Sequence, residues 1–300
     1  MANVELEPMR RLSTFRRLAL GTWRTAADPS VYGSLTLRVD EALAYIDAFR
    51  AATGRHLTIT HLMARAAAAV LERVPEANAL LRAGRLYRRR RIGVFFQVAM
   101  KDEATGNIDL SGATIHDPER KSLIEICDEL EAKFADVRAD RDAALSRTRR
   151  LFARLPLRAT GPLLRLTSFL GYTLNLDLRW AGVPRDAFGS VMITNVGALG
   201  LEEAYVPLLP YSRVPMLLAL GAIRETPIAR DGRVTVARTM KLCATFDHRV
   251  LDGVHAAAMA EVLRAWIEEP FAHFDPIPER RGAAAAIAQP ARASSAGASR

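Results

Sequence analysis

From Val234 to Phe246 apolar and polar side chains alternate for much of the length, the period of a half-buried strand. Within a few residues the period changes. Val254, Ala257, Ala258, Val262, Leu263, Trp266 and Ile267 recur at helical spacing until Pro270 stops the run. Between strand and helix stands Asp247-His248-Arg249-Val250-Leu251-Asp252-Gly253. It offers a candidate proton acceptor, an acid four residues on, and a glycine expected to let the backbone turn without a Cβ penalty. A short loop between two regular elements is a rigid mount for a reactive group.

The rest of the chain alternates in the same way. Ser34 to Val39 read as a strand, and Asp40 is expected to cap a helix to Gly54 that spaces Leu43, Ile46, Phe49 and Arg50 along it. A second helix starts near Thr58 or Thr60 and runs through Ala64 to Val74 before Pro75. Arg91 to Met100 is an apolar strand and Pro118 to Arg141 a charged amphipathic helix. Met216 to Ile223 reads as a fully buried strand, and Asp231-Gly232 as a hairpin turn.

Three hundred residues with 50% hydrophobic content can bury a large core, and one broad α/β unit is expected. Two cysteines, Cys127 in a helix and Cys243 in a strand, make no disulfide framework and point to a reducing compartment. Residues 1 to 25 carry arginine rather than an apolar leader, so the expected location is cytoplasmic. The remaining histidines, His56, His61, His116, His255 and His273, are scattered and lack ligand spacing, so no metal site is expected. There is no Gly-x-Ser-x-Gly elbow and no phosphate-cradling glycine loop.

The heptapeptide resembles the catalytic domain of the dihydrolipoyl acyltransferases of 2-oxoacid dehydrogenase complexes, whose motif is His-x-x-x-Asp-Gly. Other segments agree in order: Ile193-Thr194-Asn195-Val196-Gly197 with Leu199-Gly200, Pro75-Glu76-Ala77-Asn78-Ala79, and Ala222-Ile223 through Pro227 to Asp231-Gly232. Coverage is roughly residues 10 to 272, interrupted once. Chloramphenicol acetyltransferases and peptide-synthetase condensation domains share that fold but usually carry two adjacent histidines; Asp247 before His248 favours the lipoyl branch. The implied architecture is a two-layer α/β (α+β) fold of chloramphenicol acetyltransferase type, a mixed sheet flanked by helices with one insert. The catalytic domain should span residues 1–278.

The chemistry shows why these residue types are wanted. A free thiol with a pKa of about 8.5 is mostly protonated at neutral pH, and a neutral imidazole can take its proton during attack. His248 is the expected base. By resemblance Thr194 supplies the hydroxyl that steadies the oxyanion, replacing a more usual serine; such a donor lowers the barrier by roughly 2.7 to 4 kcal/mol. Asp252 is expected to pair with an arginine and brace the loop, with Arg16, Arg17 and Arg24 all candidates. Asn195 and Gly253 complete the expected substrate-facing set, although turn formation alone would account for Asn195. No bound cofactor is implied, and a coenzyme A thioester is the expected co-substrate. Arg88-Arg89-Arg90-Arg91 could attract its phosphates or stand as a solvated edge.

Two stretches depart from the family. No lipoyl or subunit-binding domain fits before residue 10, so the acyl donor is expected on a separate lipoyl-bearing chain or as a small thioester. Residues 143–185 hold eight arginines against the single acid Asp177, seven of the chain's net nine positive charges, interleaved with leucines, Phe152, Phe169, Tyr172 and Trp180. This basic apolar insert is either an extra helix pair packed on the body, a peripheral membrane contact, or a partner dock. Its uncharged run falls short of the roughly 20 residues a spanning helix needs. No nucleic-acid signature accompanies the charge. The Ala/Ser/Gly/Arg tail, 279–300, has too little patterned apolar surface to fold.

The resemblance also implies a homotrimer, with His248 of one chain facing Thr194 of its neighbour across the interface. Moving an acyl group between thiols, coenzyme A and a lipoyl or other acceptor, is the function these readings favour. The alternatives are a catalytically silent trimeric scaffold or docking adaptor, and an acyl-CoA-dependent transferase to a hydroxyl or amine.

Overall fold

The computed structural model describes residues 2–8, 29–101, 108–138 and 157–278. Arg16, Arg17 and Arg24, the first part of the insert (143–156) and the 279–300 tail lie outside the described residues. The chain forms β1 (Leu6–Pro8), β2 (Ser30–Arg38), α1 (Asp40–Thr53), α2 (Ile59–Arg73), β3 (Ala79–Arg82), β4 (Arg85–Arg89), β5 (Gly93–Lys101), β6 (Ile108–His116), α3 (Leu123–Arg138), α4 (Leu157–Ser168), β7 (Val191–Asn195), β8 (Met216–Leu220), β9 (Arg224–Arg230), β10 (Arg233–Asp247), α5 (Gly253–Glu268) and α6 (Pro270–His273).

The main sheet has the order β2-β10-β8-β7-β5-β6, with β9 continuing the far half of β10 as a hairpin. It is mixed: β8-β7 and β7-β5 are parallel and the other pairs antiparallel. Period-2 alternation gives each strand two working faces. Val191, Ile193, Leu218, Leu242 and Ala244 pack with buried residues of α1, α2, α3 and α5, whereas Met192, Leu217, Ala219 and Cys243 face away and meet Phe188, Val206, Leu208 and Leu209. Helices therefore cover one face and loop segments the other. A smaller sheet, β1-β4-β3, lies apart from the main one.

Helix α2 is the centrepiece of the core. Leu62, Met63, Ala64, Ala66, Ala67 and Ala68 are all fully buried, and the small alanines let its backbone approach neighbours on several sides. Its first turn is closed by His61, whose Nδ1 accepts from the Thr58 backbone N–H at 3.2 Å, the return half of a capping box. Burial pushes the His61 imidazole down from 6.5 to about 4. The folded chain thus holds fewer protons than the unfolded one between those values, so stability is complete above about pH 6.5 and drains as pH falls toward 4, by roughly 3 kcal/mol. Urea unfolding midpoints should fall steeply over that acid window, and His61→Gln, which keeps an acceptor at that position, should flatten the fall; an unchanged slope would assign the acid sensitivity elsewhere.

Several expected elements stand as read. Asp231 and Gly232 both have positive φ, 51° and 75°, and join β9 to β10 in a two-residue turn. Gly54 ends α1 in the left-handed region. Two expectations need correction. Asp40 does not cap α1: Val39 occupies the cap position, and the Asp40 carboxylate accepts from the Arg238 backbone N–H at 3.1 Å and its Nε at 3.1 Å. The helix expected from Pro118 begins only at Leu123, because Ser122 and Glu125 form a capping box there and Pro118–Arg120 make a separate 3-10 turn.

The end of β7 is held by two glycines. A Cβ on Gly197 would lie 2.5 Å from the Gly221 carbonyl oxygen, and one on Gly221 would lie 2.1 Å from that of Glu202. These contacts are backbone to backbone and cannot be relieved by a rotamer change. Gly221→Ala should therefore cost about 2 kcal/mol or more, read as a lowered denaturant midpoint; an unchanged midpoint would show that the loop gives way freely.

The described part of the insert is stitched to the segment before β1 and to β3 rather than free. Asn175 Nδ2 donates to the Val4 carbonyl at 2.7 Å, Arg82 Nε donates to that of Thr173 at 2.7 Å, and Tyr172 packs with Val4 and Leu80. Leu166, Phe169, Leu174, Leu176 and Trp180 remain exposed. Among the described residues no helix is long and apolar enough to cross a membrane.

Candidate active site

Strand β10 delivers the histidine. Val250 and Leu251, 2% and 1% exposed, plug into the core and pin the loop, and the backbone N–H groups of both return to the Asp247 carbonyl at 2.8 and 2.9 Å. The His248 N–H donates to the Pro29 carbonyl at 2.8 Å. Within this frame His248 Nδ1 lies 2.8 Å from the Leu251 carbonyl oxygen. A carbonyl can only accept, so Nδ1 carries the proton and the lone pair resides on Nε2. The loop therefore selects the tautomer a base needs and fixes the plane of the ring.

The two acids of the motif hold different parts of the loop, and the expected pairing of Asp252 with Arg16, Arg17 or Arg24 lies outside the described residues. Asp252 is the N-cap of α5, accepting from the N–H groups of Val254 and His255 at 3.1 and 3.2 Å, and its Oδ1 meets His255 Nδ1 at 2.5 Å. The nearly buried Asp247 also braces this loop, taking Arg249 at 2.9 Å from Nε and 2.7 Å from Nη2. The signal for the first arrangement was present in the sequence: an Asp at the N-cap with His255 at the third helical position mirrors Thr58 and His61 in α2.

Gly253 also departs from expectation. It is the first residue of α5, its φ is not positive, and a Cβ there would meet nothing within 4 Å among the described residues. The turn does not require a glycine. Asn195 is engaged at both ends of its amide: Nδ2 donates to Thr60 Oγ1 at 3.2 Å and Oδ1 accepts from the Ala198 N–H at 3.0 Å. It clamps the end of β7 to the start of α2.

Thr194 stands on the helix-free face of the sheet, in register with Ala219 of β8, which pairs in turn with Cys243 of β10. His248 is five residues past Cys243 and two strands over, so at about 3.3 Å per residue and 4.8 Å per strand the two candidates lie roughly 20 Å apart within one chain. One chain thus brings His248 and Asp252 together and leaves Thr194 at a distance.

A contact not foreseen from the sequence ties the insert to this region. Arg213 Nε donates to Ser168 Oγ at the end of α4 at 3.1 Å, and burial together with the charge of Arg249 pushes the Arg213 guanidinium down from its ordinary value. The insert is therefore a neighbour of the histidine loop.

Residues 187–274, which include Thr194, His248 and Asp252, match the family model of the 2-oxoacid dehydrogenases acyltransferase (catalytic domain). Over 219 residues the chain is 25% identical to the dihydrolipoyllysine-residue acetyltransferase component of the acetoin cleaving system of Bacillus subtilis (strain 168), covering 73% of this chain and 43% of that protein. The chain thus spans less than half the length of that relative. Two solved structures share the fold: the cubic core of a pyruvate dehydrogenase multienzyme complex, with a TM-score of 0.61 and 18% identity over 88% of this chain and 93% of that one, and the dihydrolipoamide acetyltransferase (E2p) of Azotobacter vinelandii, with a TM-score of 0.60 and 19% identity over 90% and 93%.

Proposed function

We infer an acyltransferase function, a reading supported by the mixed sheet with helices on one face, shared with solved dihydrolipoamide acyltransferase cores, and by the match of residues 187–274 to the catalytic-domain model. We propose that this chain is an acyltransferase that moves an acyl group between two thiols, one of them coenzyme A, the other a lipoyl group on a separate chain or a small acceptor. His248 is the base. The observation that carries this reading is the His248 Nδ1 to Leu251 carbonyl hydrogen bond, which leaves Nε2 as the proton acceptor.

In the step itself Nε2 takes the proton of the incoming thiol as its sulfur attacks the thioester carbonyl. The carbonyl oxygen becomes an oxyanion that accepts a hydrogen bond from Thr194 Oγ1. Collapse breaks the bond to the departing sulfur, which recovers the proton from Nε2. The Azotobacter enzyme has been studied for the roles of a serine, a histidine and an asparagine four residues after it; Thr194, His248 and Asp252 are the counterparts proposed here. Asp252 acts through the loop, holding the start of α5, rather than on substrate.

The in-chain separation of His248 and Thr194 supports a site completed between copies. A homotrimer in which each chain lends His248 to its neighbour's Thr194 closes that gap, and the likeness to a multi-copy core supports such an assembly. Purified protein incubated with acyl-CoAs and dihydrolipoamide, followed by release of free coenzyme A thiol, tests the reading. Transfer that requires His248 supports it, and no exchange with any short or branched acyl-CoA would count against it.

A further inference from the structure

Thiol transfer by the proposed route needs Thr194 Oγ1 held where the oxyanion forms, yet strand pairing secures that residue on one edge only. Among the described residues the ladder between β5 and β7 runs out at Ile193, opposite Phe96, whereas the ladder between β7 and β8 continues to Asn195, opposite Leu220. Thr194 and Asn195 are thus a two-residue overhang. Beyond them the chain turns at once: the Val196 N–H donates to the Leu220 carbonyl at 3.0 Å, and the Leu199 and Leu201 N–H groups return to the Val196 carbonyl at 3.0 and 3.3 Å.

The overhang is tied down from the helix face. Successive strand residues face opposite ways, so Asn195, paired with the helix-side Leu220, lies behind Thr194, paired with Ala219 of the other face. There Asn195 Nδ2 donates to Thr60 Oγ1 at 3.2 Å. The same amide takes the Ala198 N–H on Oδ1 at 3.0 Å, so it cannot swing away without losing both partners. Thr60 is a firm post. It is the second residue of α2, flanked by Ile59 and Leu62 at 9% and 0% exposure, in the turn that Thr58 and His61 close as a capping box.

We infer that Thr60 is a positioning residue for the oxyanion donor: through Asn195 it fixes the stretch of backbone from which the Thr194 side chain projects to the opposite face. Thr60 itself touches no substrate. The inference rests on the reading of Thr194 as that donor. An oxyanion is stabilised only by donors about 2.7 to 3.1 Å away, and a misplacement of about 1 Å can cost on the order of 10²-fold in rate. Removing one hydrogen bond loosens the overhang while the β8 ladder remains, so a loss of about tenfold is expected.

Steady-state exchange between an acyl-CoA and dihydrolipoamide by the full chain tests this. Thr60→Val keeps the shape of the side chain and removes the acceptor; kcat should fall about tenfold, with KM for the acyl-CoA changed by less than about twofold and the melting midpoint lowered by no more than a few degrees. Thr60→Ser, which restores the oxygen, should recover most of the rate. The deciding comparison is made on Thr194→Val. With no hydroxyl left to align, adding Thr60→Val should slow the residual exchange by less than about twofold, whereas a general weakening of the fold would multiply in a further tenfold or so. Thr60→Ala carries the same comparison if the valine variant does not fold. Parental kcat in the Thr60 variant, or its full loss repeated on Thr194→Val, would overturn the positioning role and leave the transferase reading intact; no exchange by the parental protein, or an undiminished rate in Thr194→Val, would remove that reading and the positioning role with it.

Discussion

A His248→Ala protein should fold with an unchanged melting midpoint yet lose thioester exchange by about 10²- to 10⁴-fold, the range spanned by removal of a general base. Fold and activity separate here because the loop is held by other groups: Val250 and Leu251 in the core, the Asp247 carbonyl collecting two N–H groups, and the His248 N–H reaching Pro29. None of these uses the imidazole. The loss should appear in kcat and kcat/KM together, with KM for the acyl-CoA little changed, because the proton transfer is made only in the transition state. A substituted protein exchanging at the parental rate would remove His248 from the chemistry. A collapse of the melting midpoint would mean instead that the ring supports the loop.

Much of the fold was legible because period and punctuation carry it. The change from alternation to helical spacing across residues 246–254 placed the histidine between β10 and α5, and Asp231-Gly232 declared its hairpin through the only conformation two such residues share with a tight two-residue turn. Capping was less legible, since Asp40 and Ser122 both look like helix starts and only tertiary competition decides between them. Arg238, 198 residues away, draws the Asp40 carboxylate off the helix end, whereas Glu125, three residues on, completes the box at Ser122. The roles of the motif acids were hidden for a similar reason. A pattern four residues long does not say which carboxylate Arg249 takes, and the neighbouring Asp247 holds it by bidentate geometry. The tie between Thr60 and Asn195 was least legible of all, joining residues 135 apart that share no local signal.

The same long-range geometry yields the sharpest test of the catalytic assembly. Thr194→Val keeps the shape and the β-branching of its side chain while removing the hydroxyl, and should cost about 10²- to 10³-fold in kcat if that oxygen steadies the oxyanion. His248→Ala should be at least as impaired, so each protein alone is close to silent. Within one chain the two positions are roughly 20 Å apart by strand register, too far for one substrate carbonyl to touch both. If each site joins the histidine of one copy to the threonine of the next, co-refolding equal amounts of the two variants makes about a quarter of all interfaces wild type in both residues, because each contribution is correct half the time. Activity should therefore rise from near zero in either parent to about a quarter of the wild-type value in the mixture. A site confined to a single chain predicts no rise, since every chain would still carry one defect. Gel filtration of the mixture, with one variant tagged, shows whether chains have exchanged; exchange without recovered activity would rule out the shared site and return the search for the oxyanion donor to residues close to His248 in its own chain.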